Sequence, residues 1–128
     1  MRIVQEEDVA GEHMPAPYAR VVKHLAAPWT LGTSLIWLGI SVIEPRSQSN
    51  PHSHESQEEV FFCLSGRGRI RVAEEEAPLV PGTCVFVPQG QVHQLINTAS
   101  DEVLRVLSAT APAFSHDSWS SVHETARS

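Results

Sequence analysis

Apolar and polar residues alternate along this chain in short runs, and helical periodicity is weak throughout. The runs fall at residues 19–25, 34–43, 59–64, 68–73, 83–87, 93–97 and 102–110, and each predicts a β-strand. The longest, 34–43, sets Ile36, Leu38, Ile40 and Val42 on one face and Leu35, Trp37, Gly39, Ser41 and Ile43 on the other. Clusters of Gly, Pro, Asn and Ser at 45–51, 65–66, 81–82 and 88–90 separate the runs as turns. Many short strands at this spacing predict an all-β fold, a sandwich or small barrel over residues 19–112. Residues 1–18, which mix charges with Pro15 and Pro17, read as an N-terminal arm, and the Ser-rich residues 113–128 as a C-terminal tail. Either could cover a barrel mouth or a neighbouring subunit. The tail histidines His116 and His123 are expected to be solvated.

One run departs from simple alternation. After Glu59, the segment Val60-Phe61-Phe62-Cys63-Leu64 is apolar on both faces, as in a strand buried on both sides. In a single small domain the second face needs a cover, and a homodimer is expected on that ground.

The 128 residues suit one domain. With 41% hydrophobic and 19% charged residues the composition is that of an ordinary globular protein. A net charge of −6 disfavours a nucleic-acid partner, since no basic surface is left to displace counterions. The near-basic Arg67, Arg69 and Arg71 are answered by Glu74, Glu75 and Glu76. No apolar stretch approaches the length of a membrane span. The first residues turn acidic at once, against a signal peptide, and the two cysteines, Cys63 and Cys84, are too few for a disulfide framework. A cytoplasmic protein with buried thiols is expected.

The candidate chemistry lies in two stretches. Pro51-His-Ser-His-Glu-Ser-Gln-Glu-Glu59 places His52 and His54 two residues apart, on the same side of an extended segment, where both can reach one metal ion. Glu59 then opens a strand on the face of Phe61 and Cys63, and a carboxylate aimed into an apolar interior needs a cation or hydrogen bonds. In the second stretch, Pro88 and Gly90 turn the chain so that a strand begins near His93, with Leu95 and Asn97 on its face.

These residues resemble the cupin superfamily, in particular its small single-domain members. The family's first motif, G(X)5HXH(X)3–4E(X)6G, is matched by His52, His54, Glu59 and Gly66. Its second, G(X)5PXG(X)2H(X)3N, is matched in full by Gly82, Pro88, Gly90, His93 and Asn97. The glycine that opens the first motif is replaced by Arg46, which leaves the path of the following loop open; Arg46 is either a solvated rim residue or a contact for an anionic substrate. The register to Gly66 selects Glu59 over its neighbour Glu58.

The resemblance implies an antiparallel double-stranded β-helix, a jelly-roll β-barrel, holding one divalent transition metal ion on His52, His54, Glu59 and His93. Iron, manganese, nickel, cobalt and zinc all suit that ligand set. Four ligands on an octahedral ion leave two positions open, whereas a tetrahedral zinc would be closed. Such a site carries net positive charge and favours an anionic or oxygen-chelating small molecule. Strand parity places Phe61, Cys63, Leu95 and Asn97 around the ligands, with Trp37 and Phe86 as further pocket-lining candidates. No general base stands out; metal-bound water, Tyr18 and His24 are the candidates for proton transfer, and Cys63 reads as a small apolar core residue. Two functions fit. One is a metal-dependent enzyme acting on a small oxygenated metabolite by dioxygenase, decarboxylase, isomerase or lyase chemistry. The other is a non-catalytic barrel that binds or senses a small molecule. No G-x-S-x-G segment supports a nucleophilic hydrolase, and no helix-turn-helix pattern supports DNA readout.

Overall fold

The alternating runs become the strands of two antiparallel sheets in the computed structural model, which describes residues 1–123. After a single 3-10 turn at Glu6–Asp8 come β1 (Glu12–Met14), β2 (Arg20–Ala26), β3 (Trp37–Ile43), β4 (Glu58–Ser65) and β5 (Gly68–Val72). There follow β6 (Glu75–Leu79), β7 (Cys84–Val87), β8 (His93–Asn97), β9 (Leu104–Ala111) and a short helix, α1 (His116–Val122). One sheet runs β1-β2-β3-β9-β4-β7 and the other β6-β5-β8. Strand β9 returns between β3 and β4, the connectivity of a jelly-roll β-barrel. No helix among the described residues is long and apolar enough to cross a membrane.

Alternation does not predict β1, β6 or α1. Strand β6 is an exposed edge carrying Glu75, Glu76 and Pro78, and cross-strand charge sets its place: Arg69 donates to Glu76 at 2.7 Å and Arg71 stands opposite Glu76. Helix α1 has seven residues, too few for a periodic signal. It is capped by the Ser115 hydroxyl, which accepts from the Ser118 N–H at 3.1 Å, and is anchored by the buried Trp119.

The interior divides into two packed clusters. Ile43, Phe61, Cys63, Ile70, Leu79, Val87, Leu95, Leu104 and Val106 form the larger, between the two sheets. The second joins Met14, Val22, Ala27 and Trp37 to Phe114 and Trp119, so the C-terminal segment packs against the barrel. Along β4, Glu59, Phe61 and Cys63 face in, while Val60, Phe62 and Leu64 face out and stay 38–39% exposed. The outer face of this doubly apolar strand is therefore open in the single chain.

Two turns show what the motif glycines do. Gly66 has φ +86, and a Cβ there would collide with the Val103 carbonyl oxygen, so only glycine fits. Arg46, which replaces the first motif glycine, adopts φ +60. The turn is thus kept in the left-handed region rather than rebuilt with negative φ. The Arg46 N–H donates to the Ala99 carbonyl at 2.9 Å, and its side chain is exposed.

Candidate metal centre

Backbone pairing brings the two motifs together. The Asn97 N–H donates to the Ser47 carbonyl at 2.9 Å, and the Ser49 N–H to the Leu95 carbonyl at 2.8 Å. His52 and His93 exchange both backbone bonds, at 3.2 and 2.9 Å, as an isolated antiparallel bridge. The segment before His52 thus lies along β8, and its imidazoles meet the one at the start of that strand. Each of His52, His54 and His93 offers a nitrogen, and these three atoms lie within 4.8 Å of one another. Glu59 faces the same space from β4, with Oε1 3.0 Å from His93 Nε2 and 3.4 Å from His54 Nε2. Its other oxygen accepts from the Ser108 hydroxyl on β9.

Carbonyl oxygens can only accept, so they fix the imidazole tautomers. His52 Nδ1 donates to the Asn50 carbonyl at 2.7 Å and His93 Nδ1 to the Gln91 carbonyl at 3.1 Å. In this tautomer Nε2 carries the lone pair, the orientation that metal-binding histidines take from such outer partners. Burial, reinforced by the neighbouring His123, His93, His54 and Arg20, pushes the His52 pKa well below the ordinary imidazole value. Burial alone would raise the Glu59 carboxyl pKa, but the His54 and His93 imidazoles, when protonated, would donate to it and attract it, and this outweighs burial and sets the group well below the usual range.

Glu59 Oε1 and His93 Nε2 are both buried with no well-formed hydrogen bond among the described residues. A lone pair facing a carboxylate oxygen at 3.0 Å calls for a proton or a metal ion between them. Three imidazoles and one carboxylate fit a divalent first-row ion. These residues therefore fit the group that the motifs imply.

The cavity beside them has a free volume of about 30 Å³. Of the residues assigned to it by parity, Trp37, Phe61 and Leu95 line it. Cys63, Asn97 and Phe86 do not. Cys63 lies deeper, inside the apolar cluster. Asn97 faces in but sits at the far end of β8, where Nδ2 reaches the Ile43, Glu44 and Glu102 carbonyls at 3.0, 3.1 and 2.9 Å and ties two loops to the strand. Phe86 pairs with the outward Val60 and is 55% exposed on the outer surface. Neither proton-transfer candidate lines the cavity. Tyr18 packs at the edge of the second apolar cluster. The ring of His24 is buried among Trp29, Trp37 and Trp119 and accepts from Trp37 Nε1 at 3.1 Å.

Other lining residues carry no motif: Arg20, Ser41, Ser49, Ser108, Phe114, Trp119 and His123. The expectation for the tail is corrected here. His123 is 3% exposed, stacked on Trp119 and 4.5 Å from His52 between ring centroids. Helix α1 docks over the barrel mouth, held by Asn50 Nδ2 donating to the Val122 carbonyl at 3.2 Å. His116 stays partly exposed and meets Glu12 at 2.6 Å. A sequence signal for Arg20 existed: β2 carries Arg20 and Lys23 on opposite faces, so one cation must point inward.

The Cupin domain family matches residues 39–110, more than half of the chain and all of the segments that carry the candidate ligands. The chain belongs to the cupin family. This cupin is 25% identical over 80 residues to the uncharacterized protein MJ1618 of Methanocaldococcus jannaschii, covering 62% of this chain and 63% of that one. It is 29% identical over 106 residues to the auxin-binding protein T85 of Nicotiana tabacum, covering 72% of this chain and 55% of that one. The cupin thus spans less than two thirds of either relative. The crystal structure of TT1209 from Thermus thermophilus superposes with a TM-score of 0.71 at 26% identity, covering 88% of this chain and 98% of that one.

Proposed function

We propose that this cupin binds one divalent transition metal ion through His52, His54, Glu59 and His93 and acts with it on a small oxygenated metabolite. The observation that carries the reading is the convergence of three imidazole nitrogens within 4.8 Å on a buried carboxylate oxygen. The ion would supply Lewis acidity, stabilising negative charge that develops on a bound oxygen, which suits dioxygenase, decarboxylase, isomerase or lyase chemistry. The chain's own part is positioning. The Asn50 and Gln91 carbonyls orient His52 and His93, and Ser108 anchors Glu59. Trp37, Phe61, Phe114 and Trp119 limit the water in the cavity. Elemental analysis of protein purified without a histidine tag tests this. About one equivalent of a first-row metal per chain is expected; protein that takes up none, even after reconstitution with each candidate ion, sinks the reading.

A second reading, a non-catalytic small-molecule binder, draws on the small cavity beneath Phe114 and Trp119 and on the named ligand of the auxin-binding relative. Recovery of a tightly bound ligand unchanged after prolonged incubation with metal-loaded protein would favour it over the enzyme.

The same reading includes a homodimer. Val60 stands opposite Phe86 in the β4–β7 ladder, and with Phe62 and Leu64 they form an exposed apolar face at the sheet edge. Light scattering at micromolar concentration decides it, and a monomer removes it. Both cysteines are unpaired, Cys84 on the surface, which supports a reducing, cytoplasmic setting.

A further inference from the structure

Arg20 is 4% exposed and lines the cavity from the first residue of β2. Its guanidinium has only neutral partners: Nη1 donates to the Ser41 hydroxyl and Nη2 to Asn50 Oδ1, each at 3.2 Å. The Nε–H is buried without a partner among the described residues, and no carboxylate there lies within ion-pair distance of the group. A buried cation is ordinarily paired, because desolvation costs several kcal/mol that neutral hydrogen bonds offset only in part. Burial lowers its pKa to about 10, partly opposed by the charge of Glu59, so the group remains charged at neutral pH.

The neighbouring bonds give that charge a direction. Asn50 accepts from Arg20 through Oδ1 and from His52 Nδ1 through its backbone carbonyl, so one residue sets the guanidinium beside the first imidazole of the triad. Ser41, Ser49 and Ser108 line the cavity as further polar groups, among the apolar Trp37, Phe61 and Phe114. We propose that Arg20 is the anion-binding residue of this cavity and selects a small oxo or hydroxy acid, its carboxylate held by the guanidinium and its second oxygen directed to the His52–His54–His93 group. The part concerning the second oxygen rests on the metal reading above; the charge selection rests on Arg20 alone. The free volume is small, about 30 Å³ with α1 docked, which favours the smallest acids of this class, those with two carbons. Guanidinium and carboxylate match as a planar bidentate pair, a geometry that lysine lacks.

The test compares glycolate with its neutral counterpart glycolamide on the full-length protein. Binding is followed by the fluorescence of Trp37 and Trp119, which line the cavity. Wild type should prefer glycolate by about ten-fold or more, the range of one charge-assisted hydrogen bond. Arg20→Gln, which keeps an amide to meet Ser41 and Asn50, should bind both compounds alike when free of metal; Arg20→Lys should keep part of the preference. A wild-type preference under about three-fold, or one that survives in metal-free R20Q, overturns the proposal. Should R20Q fail to fold, the same comparison in metal-free wild type decides. Metal content is measured on the same samples. A preference that R20Q loses, in protein that takes up no metal on reconstitution, supports Arg20 while rejecting the metal reading, and a metal-loaded protein blind to charge does the reverse.

Discussion

At one end of the barrel interior Ile43, Cys63, Leu79, Leu95, Leu104 and Val106 are at most 2% exposed and form one apolar cluster. At the other end Ser41, Glu59, Ser108 and Thr110 are just as inaccessible in kind, at 1–7%, and they stand on three of the same strands. The change of character occurs within two residues along each strand: from Ile43 to Ser41 on β3, from Val106 to Ser108 on β9. Register carries the change across the sheet, since Thr110 pairs with both Trp37 and Glu59, and Ser108 with Gly39 and Phe61. The lesson is that strand geometry is indifferent to chemistry. One period builds a dry half that stabilises the barrel and a polar half whose unsatisfied groups ask for a ligand.

The sharpest way to break this division is His54→Ala. In the polar half, removing a proposed ligand should lower metal affinity by more than the about hundred-fold that loss of an outer partner costs, while the far-UV signature of the barrel stays intact. Bound metal unchanged in both His54→Ala and His93→Ala would refute the site. In the apolar half, Ile43→Ala should destabilise by about 2–5 kcal/mol in urea melts, yet keep its metal content per folded molecule. If it loses metal as readily as the histidine variant, the halves are not separable.

The smallest effect belongs to the outer surface. Glu6, in the arm, pairs with Arg105 at 2.5 Å and with Lys23 at 3.2 Å. Glu6→Gln should cost no more than about 1 kcal/mol, as exposed ion pairs do. The hydrogen bond from Arg105 holds the Glu6 carboxyl below its ordinary value. Its contribution is therefore full above the unfolded carboxyl pKa and fades as pH falls through the depressed one. Wild-type and E6Q melting curves should draw together in acid; a gap that widens on acidification contradicts the pairing.

Strands β2 to β5 and β7 to β9 were legible because a period of two is written into the side chains themselves. Strand β6 was not, because an edge strand facing water needs no apolar alternation and takes its place from Arg69 and Arg71 across the hairpin. Phe86 and Asn97 show the limit of parity. It assigns a side of the strand, but the β4–β7 register turned Phe86 outward, and the length of β8 carried Asn97 past the cavity to the loops.

Two imidazoles two residues apart, an inward glutamate and a third imidazole after a Pro-Gly turn, the candidate ligands, were legible from local spacing in the sequence by itself. That Arg20, Trp119 and His123 join them was decided only in three dimensions. These residues reach the cavity from β2 and from the seven-residue helix docked over the mouth with the residue after it, through contacts between segments 21 to 72 positions apart. No local period encodes such contacts, because they arise from which surfaces close on one another once the strands have formed.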